Sequence, residues 1–173
     1  SSRDGGGAVV RTIPHDGYDR AVFGGFECDT WLDRALEPER VPENQASFYH
    51  RLDPEGRVSL VLGAGNVASI PPMDVLYKMF VEGSSCVLKM NPVNEYLGPF
   101  YERAFAPLIE KGYLAIVYGG AEVGGYLCQH PAVQDVHITG SDKTHDSIVW
   151  GPPGAPRDER KRSGQTLLGK PIK

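Results

Sequence analysis

Four apolar runs of the sequence each end in a turn of small or polar residues, and one of these turns contains a lysine. These turns are residues 63–69, 89–91, 119–121 and 139–141. Small residues let backbone N–H groups approach a ligand closely, Lys89 adds a positive charge, and Ser141 precedes a helical segment whose first N–H groups are unpaired. Groups of this kind bind phosphate oxygens. We therefore predict that these turns form a cradle for the pyrophosphate of a dinucleotide.

Each turn also has a simpler interpretation. Glycine punctuates loops in general, so any one of these turns could serve only to reverse the chain. Gly63, Gly65 and Ala68 fit the dinucleotide pattern G-x-G-x-x-A, but that pattern should open a helix at once. Pro71 and Pro72 are expected to delay the helix here. A single match is weak, whereas four such turns at successive strand ends favour a ligand site.

Alternating strands and helices must hold these turns in place. Apolar, β-branched runs predict strands over residues 57–62, 85–90, 114–118 and 134–138. Apolar residues at helical spacing predict helices over residues 73–82, 95–111 and 122–130. The alternation requires crossover connections, and so predicts an α/β fold with a doubly wound, mostly parallel sheet and helices on both faces. Ligands of such sheets bind beyond the carboxyl ends of the strands, where the four turns lie.

Motifs within residues 57–150 resemble the cofactor domain of the aldehyde dehydrogenase superfamily. They are Val87-Leu88-Lys89 leaving a strand, a Gly119-Gly120 turn leading to Gly124, His130-Pro131-x-Val133, and Ile138-Thr139-Gly140-Ser141. Each motif is short, but the ordered set is specific. The resemblance implies a Rossmann-like domain of an NAD(P)-dependent oxidoreductase. Such an enzyme oxidises an aldehyde to a carboxylic acid through a cysteine thioester.

The resemblance also implies roles for two polar side chains. Asn66 would donate a hydrogen bond to the aldehyde oxygen and stabilise the oxyanion, although Ala64 and Gly65 stand where the family usually has Pro-Trp. Lys89 would bind the hydroxyls of the adenosine ribose. The alternatives are a turn-forming Asn and a surface Lys at a strand end.

Five further residues are candidates for cofactor binding by the same resemblance. Gly120 and Gly124 would let the adenine and pyrophosphate lie near a helix N-terminus. Thr139 would lie near the nicotinamide, and Gly140 follows it in the same motif. Ser141 would contact the pyrophosphate with its hydroxyl. Ser141 is also a typical helix N-cap, and one hydroxyl can fill both roles.

The choice between NAD and NADP is left open. The family commonly continues Lys-Pro-x-Glu, in which the Glu holds the ribose 2′-hydroxyl. Here Met90, Asn91 and Pro92 follow Lys89, so that carboxylate is missing. Because a Glu would repel a 2′-phosphate, its absence keeps both cofactors as candidates.

The catalytic groups of the family are expected to lie outside this sequence. Residues 168–173 look like the approach to the motif that carries the essential Glu, and the nucleophilic Cys belongs to a second domain. We therefore expect a fragment that is inactive by itself. Cys28, Cys86 and Cys128 lack the context of a nucleophile, and buried free cysteines are mostly structural.

Composition limits the classes of partner. The 173 residues carry a net charge of −4, which argues against nucleic acid as the main partner. A mean hydropathy of −0.30 without a long apolar run argues against a membrane span. The three cysteines show no framework spacing and favour a reducing, cytoplasmic setting. The spacing of His130, His137 and His145 does not indicate a metal site.

Three segments are expected along the chain. Residues 1–50 form a partly irregular N-terminal segment, residues 51–150 a dinucleotide-binding α/β domain, and residues 151–173 a loop and a truncated C-terminal segment. The mixed-charge run 157–162 is expected to be a solvated loop. The resemblance implies a nicotinamide dinucleotide as partner and, for the full-length enzyme, an aldehyde substrate and a homo-oligomer. Two alternatives stay open: an acyl-CoA or acyl reductase of the same superfamily, and a noncatalytic nucleotide-binding module.

Overall fold

The computed structural model describes residues 7–173. The chain divides into two compact units, Ser1–Leu52 and Asp53–Lys173. In the smaller unit, strand β1 (Val9–Ile13) pairs antiparallel with strand β2 (Cys28–Trp31). Helix α1 (Gly17–Val22) lies between them in the chain, and helix α2 (Val41–Asn44) follows. The Asp16 carboxylate caps α1 by accepting the N–H groups of Tyr18 and Asp19, as an aspartate at an N-cap position does.

The larger unit is built on a four-stranded parallel sheet. Its strands are β3 (Val58–Leu62), β4 (Ser85–Lys89), β5 (Leu114–Val117) and β6 (Asp135–Ile138). Their order in the sheet is β5-β4-β3-β6, and every neighbouring pair is parallel. The register places Leu60 of β3 opposite Val87 of β4 and Val136 of β6. The predicted parallel sheet is confirmed.

Helices cover both faces of this sheet. They are α3 (Ile70–Phe80), α4 (Gly98–Ala104), α5 (Ala106–Glu110), α6 (Ala121–Gln129), α7 (Asp142–Trp150) and α8 (Ala155–Ser163). Successive side chains of a strand point to opposite faces. Accordingly, Val61 packs with Val75 of α3 in one core, and Leu60 packs with Cys128 of α6 in another. The doubly wound, Rossmann-like α/β fold predicted from the sequence is therefore confirmed.

The strand order reverses direction at one point, between β3 and β6. From β3 the chain moves outward through β4 to β5, and then returns across the sheet to place β6 on the other side of β3. The connections that follow β3 and β6 consequently leave toward opposite faces. In sheets of this type the resulting crevice is where ligands bind.

Three predicted elements differ from the structure. The helix expected over residues 95–111 is divided into a 3-10 turn, Glu95–Leu97, and the two helices α4 and α5. Pro107 lies in the first turn of α5, where its ring and missing N–H are tolerated, and it cannot continue α4. Helix α3 begins at Ile70 instead of residue 73, since Pro71 and Pro72 occupy its first turn. The prolines therefore start this helix and do not delay it.

The loop expected over residues 157–162 is wrong as well, because this run forms the middle of α8. Pro156 lies in the first turn of α8, and Arg157 and Lys161 both contact the carboxylate of Asp146 on α7. Residues four apart lie on the same side of a helix, so the mixed charges attach α8 to α7.

The last residues extend the sheet beyond β6. The N–H groups of Val136 and Ile138 donate to the carbonyls of Pro171 and Lys173 at 3.0 and 2.9 Å. Ile172 forms a parallel bridge with Val136. Leu168 is buried in the same core as Leu60. Backbone hydrogen bonds and burial thus fix residues 168–173 at the outer edge of β6.

Candidate functional site

A cavity of about 790 Å³ lies at the carboxyl ends of the parallel strands, beside the point where the strand order reverses. This volume is within the range of small-molecule and cofactor sites. All seven residues predicted to bind or act on ligands line it: Asn66, Lys89, Gly120, Gly124, Thr139, Gly140 and Ser141. The fold thus brings together four chain segments that are far apart in the sequence.

The turn after β3 carries Asn66 and is held at several points. The Gly63 N–H donates to the Lys89 carbonyl at 2.9 Å, and the Asn94 side-chain amide donates to the Ala64 carbonyl at 3.0 Å. Gly65 has no space for a side chain, because a Cβ there would lie 2.8 Å from Cγ of Asn91. Asn66 itself is exposed at the cavity. Hydrogen bonds thus hold the backbone of this turn, and the turn places the Asn66 amide at the cavity.

Lys89 supplies a buried positive charge at the end of β4. The residue is 7% exposed and lines the cavity. Burial lowers the pKa of Lys89, and the carboxylates of Glu122 and Glu95 offset this only in part. Among the described residues no carboxylate lies within the 4.0 Å of an ion pair with its ammonium. A partly desolvated ammonium that has no ion-pair partner among the described residues and faces a cavity is favourably placed to bind an anionic or hydroxyl-rich ligand.

The turn after β5 brings a helix N-terminus to the cavity. Gly119 has φ +128°, and a Cβ there would lie 2.5 Å from Cγ2 of Val123. Gly120 is the N-cap of α6, and its N–H donates to the Glu122 carboxylate at 3.1 Å. Hydrogen bonds from the N–H groups of Glu122 itself and of Gly120 lower the pKa of Glu122. Gly124 follows one helical turn later, with Leu62 the nearest neighbour to a Cβ at 3.9 Å.

The turn after β6 presents two hydroxyl groups. Ser141 caps α7, since its Oγ accepts the Thr144 N–H at 3.2 Å. The predicted N-cap is therefore present, and its hydroxyl still lies in the wall of the cavity. Thr139 donates its hydroxyl proton to Oδ2 of Asp74 on α3 at 2.8 Å. Thr139 thus contacts both the cavity and the polar groups next to it.

Several lining residues were not singled out from the sequence. Thr144, Ser147 and Ile148 form one face of α7 toward the cavity, and Asn91 lines it beside Lys89. The spacing of the three α7 residues is that of a helix face, so a periodicity search of residues 142–150 would have found them. Asn91 directly follows the predicted strand over residues 85–90 and belongs to the predicted turn 89–91, although it was given no individual role.

Two of the three cysteines are buried thiols. Burial raises the pKa of Cys86 to about 12 and also raises the pKa of Cys128. Such groups hold almost no thiolate at neutral pH, which agrees with the structural interpretation of both. Cys28 is exposed in β2. Within residues 7–173, no three His, Cys, Asp or Glu side chains are placed to hold a metal ion, and no helix is long and apolar enough to cross a bilayer.

Comparison with known proteins identifies the family. The model of the aldehyde dehydrogenase family matches residues 25–151. Among curated proteins, 4-trimethylaminobutyraldehyde dehydrogenase B of Danio rerio is 38% identical over 71 residues, which are 39% of this chain and 13% of that protein. The corresponding dehydrogenase of Oryzias latipes is 35% identical over 71 residues, or 39% of this chain and 14% of that protein. The matched stretch is thus a small part of each relative. Because the family model matches most residues of this chain, the chain belongs to the aldehyde dehydrogenase family.

Proposed function

We propose that this chain provides the nicotinamide-dinucleotide site of an NAD(P)-dependent oxidoreductase. The observation that carries the proposal is the cavity at the strand-order reversal. There the Lys89 ammonium, which has no ion-pair partner among the described residues, meets glycine-rich turns and the N-termini of two helices. A Cβ at Gly65 or Gly119 would collide with its neighbours, so the backbone itself forms the surface there. Close backbone and a buried cation are the features that a pyrophosphate-containing ligand needs.

Each of these residues binds a different part of the dinucleotide. Lys89 binds the adenosine ribose hydroxyls, and the turn of Gly120 and Gly124 lets the adenine and pyrophosphate approach α6. Ser141 and the first N–H groups of α7 bind the pyrophosphate, with Gly140 leaving space beside it. Thr139 lies against the nicotinamide. The bound nicotinamide supplies the hydride acceptor.

Asn66 has a separate role toward the substrate of the whole protein. It lies on a turn fixed by Lys89 and Asn94, and its exposed amide has N–H groups to donate. We assign it to the aldehyde oxygen, where a donor stabilises the developing oxyanion. The reaction of the whole protein is oxidation of an aldehyde to a carboxylic acid through a cysteine thioester. The curated relatives named above are aldehyde dehydrogenases by name, which supports this class of substrate.

The domain assignment follows the same proposal. Residues 51–150 form the dinucleotide-binding domain, flanked by an N-terminal segment over 1–50 and a C-terminal segment over 151–173. Two buried free thiols and the exposed Cys28 suit a reducing, cytoplasmic compartment. In the full-length protein we expect a homo-oligomer that takes an aldehyde.

Calorimetric titration with NAD and, separately, with NADP tests the proposal. Circular dichroism on the same sample shows whether the protein is folded. We expect saturable binding of at least one dinucleotide, and the tighter of the two identifies the cofactor. A folded chain that binds neither would contradict the proposal.

A further inference from the structure

Asp74 and His137 form a polar pair that the functional assignment leaves unused. Asp74 lies on α3 and His137 on β6, with side chains 18% and 12% exposed. The Nε2 atom of His137 lies 3.3 Å from Oδ1 of Asp74, and the Thr139 hydroxyl lies 2.8 Å from Oδ2. Thr139 lines the cavity, whereas the other two residues lie outside its lining. The pair therefore contacts the site through Thr139.

The direction of the Thr139–Asp74 hydrogen bond follows from the chemistry of a carboxylate. An ionised carboxylate accepts hydrogen bonds and donates none. Thr139 therefore donates its hydroxyl proton to Asp74, while the His137 imidazole lies beside the other carboxylate oxygen. The other ring nitrogen of His137, Nδ1, is buried without a hydrogen-bond partner among the described residues. The hydrogen bond to Asp74 thus fixes the orientation of the Thr139 hydroxyl.

This arrangement determines what Thr139 can offer a ligand. A hydroxyl has one proton and two lone pairs, and the proton is already directed at Asp74. Thr139 can then only accept a hydrogen bond from a group in the cavity. The Ser141 hydroxyl is different, because it shares a 3.1 Å contact with the Thr144 hydroxyl in which either group can donate. Thr139 is thus a cavity hydroxyl whose polarity the protein sets.

We infer that Asp74 is a positioning residue that makes Thr139 an obligate acceptor, so that the site selects a dinucleotide whose ring substituent carries an N–H donor. The carboxamide of nicotinamide is such a substituent. The inference rests on the proposed function, because it requires a dinucleotide in the cavity. It adds that the ring at the nicotinamide end of the ligand must carry a hydrogen-bond donor. Asp74, which lies outside the cavity, is the residue that causes this requirement.

A matched pair of ligands tests the inference on the unmodified chain. The probes are the dinucleotide that binds more tightly, NAD or NADP, and its 3-acetylpyridine analogue. The analogue keeps the carbonyl but has a methyl group in place of the amide nitrogen. We expect calorimetry to give about fivefold weaker binding of the analogue, the ratio that one net hydrogen bond supports. Equal binding of the two would overturn the inference and leave the proposed function intact, whereas binding of neither would overturn both.

Variants of Thr139 and Asp74 then show whether these two residues cause the difference in affinity between the dinucleotide and its analogue, expressed as the ratio of the two affinities. Thr139→Val removes the hydroxyl at nearly constant shape and is expected to bring the ratio close to one, while Thr139→Ser keeps the hydroxyl and the ratio. Asp74→Ala releases the hydroxyl to rotate and should also bring the ratio close to one. A ratio unchanged in folded Thr139→Val would contradict the inference. A structural role alone would weaken both ligands equally and would leave the ratio as it is. If Asp74→Ala does not fold, the Val and Ser variants decide the result.

Discussion

At the scale of single residues, Lys89 combines burial with the absence, among the described residues, of a carboxylate at ion-pair distance. We predict that Lys89→Met weakens dinucleotide binding by about tenfold or more, since a hydrogen bond to a charged group contributes about 1.5–3 kcal/mol. The free energy of unfolding should not fall, because burial disfavours the charged form of Lys89 and no ion pair among the described residues is lost. Calorimetry and denaturant unfolding measure the two effects. Lys111→Met is the control, since Lys111 is exposed at the end of α5. Unchanged affinity in folded Lys89→Met would disprove the role of Lys89.

Gly119 illustrates a backbone requirement at the same scale. Its φ of +128° is a conformation that residues with a Cβ rarely adopt, and Val123 fills the space beside it. Gly119→Ala should therefore reduce the free energy of unfolding by about 1–3 kcal/mol. Gly125→Ala is the matched control in α6, where no atom lies within 4 Å of the new Cβ. There we expect stabilisation of about 0.5–1 kcal/mol from helix propensity. Equal unfolding midpoints for the two variants would contradict this account of the turn.

At the scale of elements, a charged cluster joins α3 to β6. The Lys78 side chain is 3% exposed, and its ammonium lies 2.7 Å from Asp135 and 2.5 Å from Glu82. Burial opposes the charge, but the two carboxylates outweigh it and raise the pKa of Lys78. Burial likewise acts to raise the pKa of Glu82, yet Lys78 and Lys173 lower it overall. The Ser59 hydroxyl on β3 also donates to Asp135, at 2.9 Å.

We predict that Lys78→Met costs about 3 kcal/mol of the free energy of unfolding, because it leaves Asp135 buried without its partner. The exposed lysine of α8 provides the control: Lys161→Met should change stability by about 0.5 kcal/mol or less. Chemical denaturation of both variants at neutral pH measures the difference. Similar losses of unfolding free energy in the two variants would show that the buried Lys78 ion pairs stabilise the fold no more than the exposed Lys161 ion pair.

The same cluster predicts the direction of pH dependence. Because the folded chain lowers the pKa of Glu82 below 4.5, Glu82 contributes stability above that pH and loses it as the pH falls. The raised pKa of Lys78 gives stability below pH 10.5 that is lost as the pH rises further. Unfolding measured from pH 3 to pH 7 should therefore show a smaller acid loss in Lys78→Met than in the unmodified chain. A parallel pair of curves would exclude the contribution of Glu82.

The elements that the sequence predicted well share one physical cause. The apolar runs of the central strands β3 and β4 contain no exposed residue on either face of the sheet, so their composition alone distinguishes them from the helices. The helix expected over residues 95–111 was divided because Pro107 can also start a new helix, which hydrophobic spacing does not reveal. The charged run 157–162 predicts a loop, yet it forms a helix because α8 is attached through the Asp146 carboxylate instead of through an apolar face.

At the scale of the whole molecule, the sheet explains why scattered turns form one site. The carboxyl ends of parallel strands lie at one edge, so a correct strand assignment was enough to group Asn66, Lys89 and Ser141. The contact between Asp74 and Thr139 spans 65 positions and depends on β6 lying next to β3. Strand order is fixed by packing of the entire unit, and no local pattern in the sequence encodes it. The residues around Thr139 therefore became visible only in the structure.

The most direct test of the central claim is hydrogen–deuterium exchange of the chain with and without saturating NAD or NADP. If the cavity at the strand-order reversal holds the dinucleotide, backbone exchange slows in residues 63–69, 119–124 and 139–144, whose N–H groups surround it. Exchange at the opposite end of the sheet, around Arg57 and Gln134, should stay unchanged. Protection confined to that opposite end, or none in the three turns, would contradict the assignment of this cavity as the cofactor site.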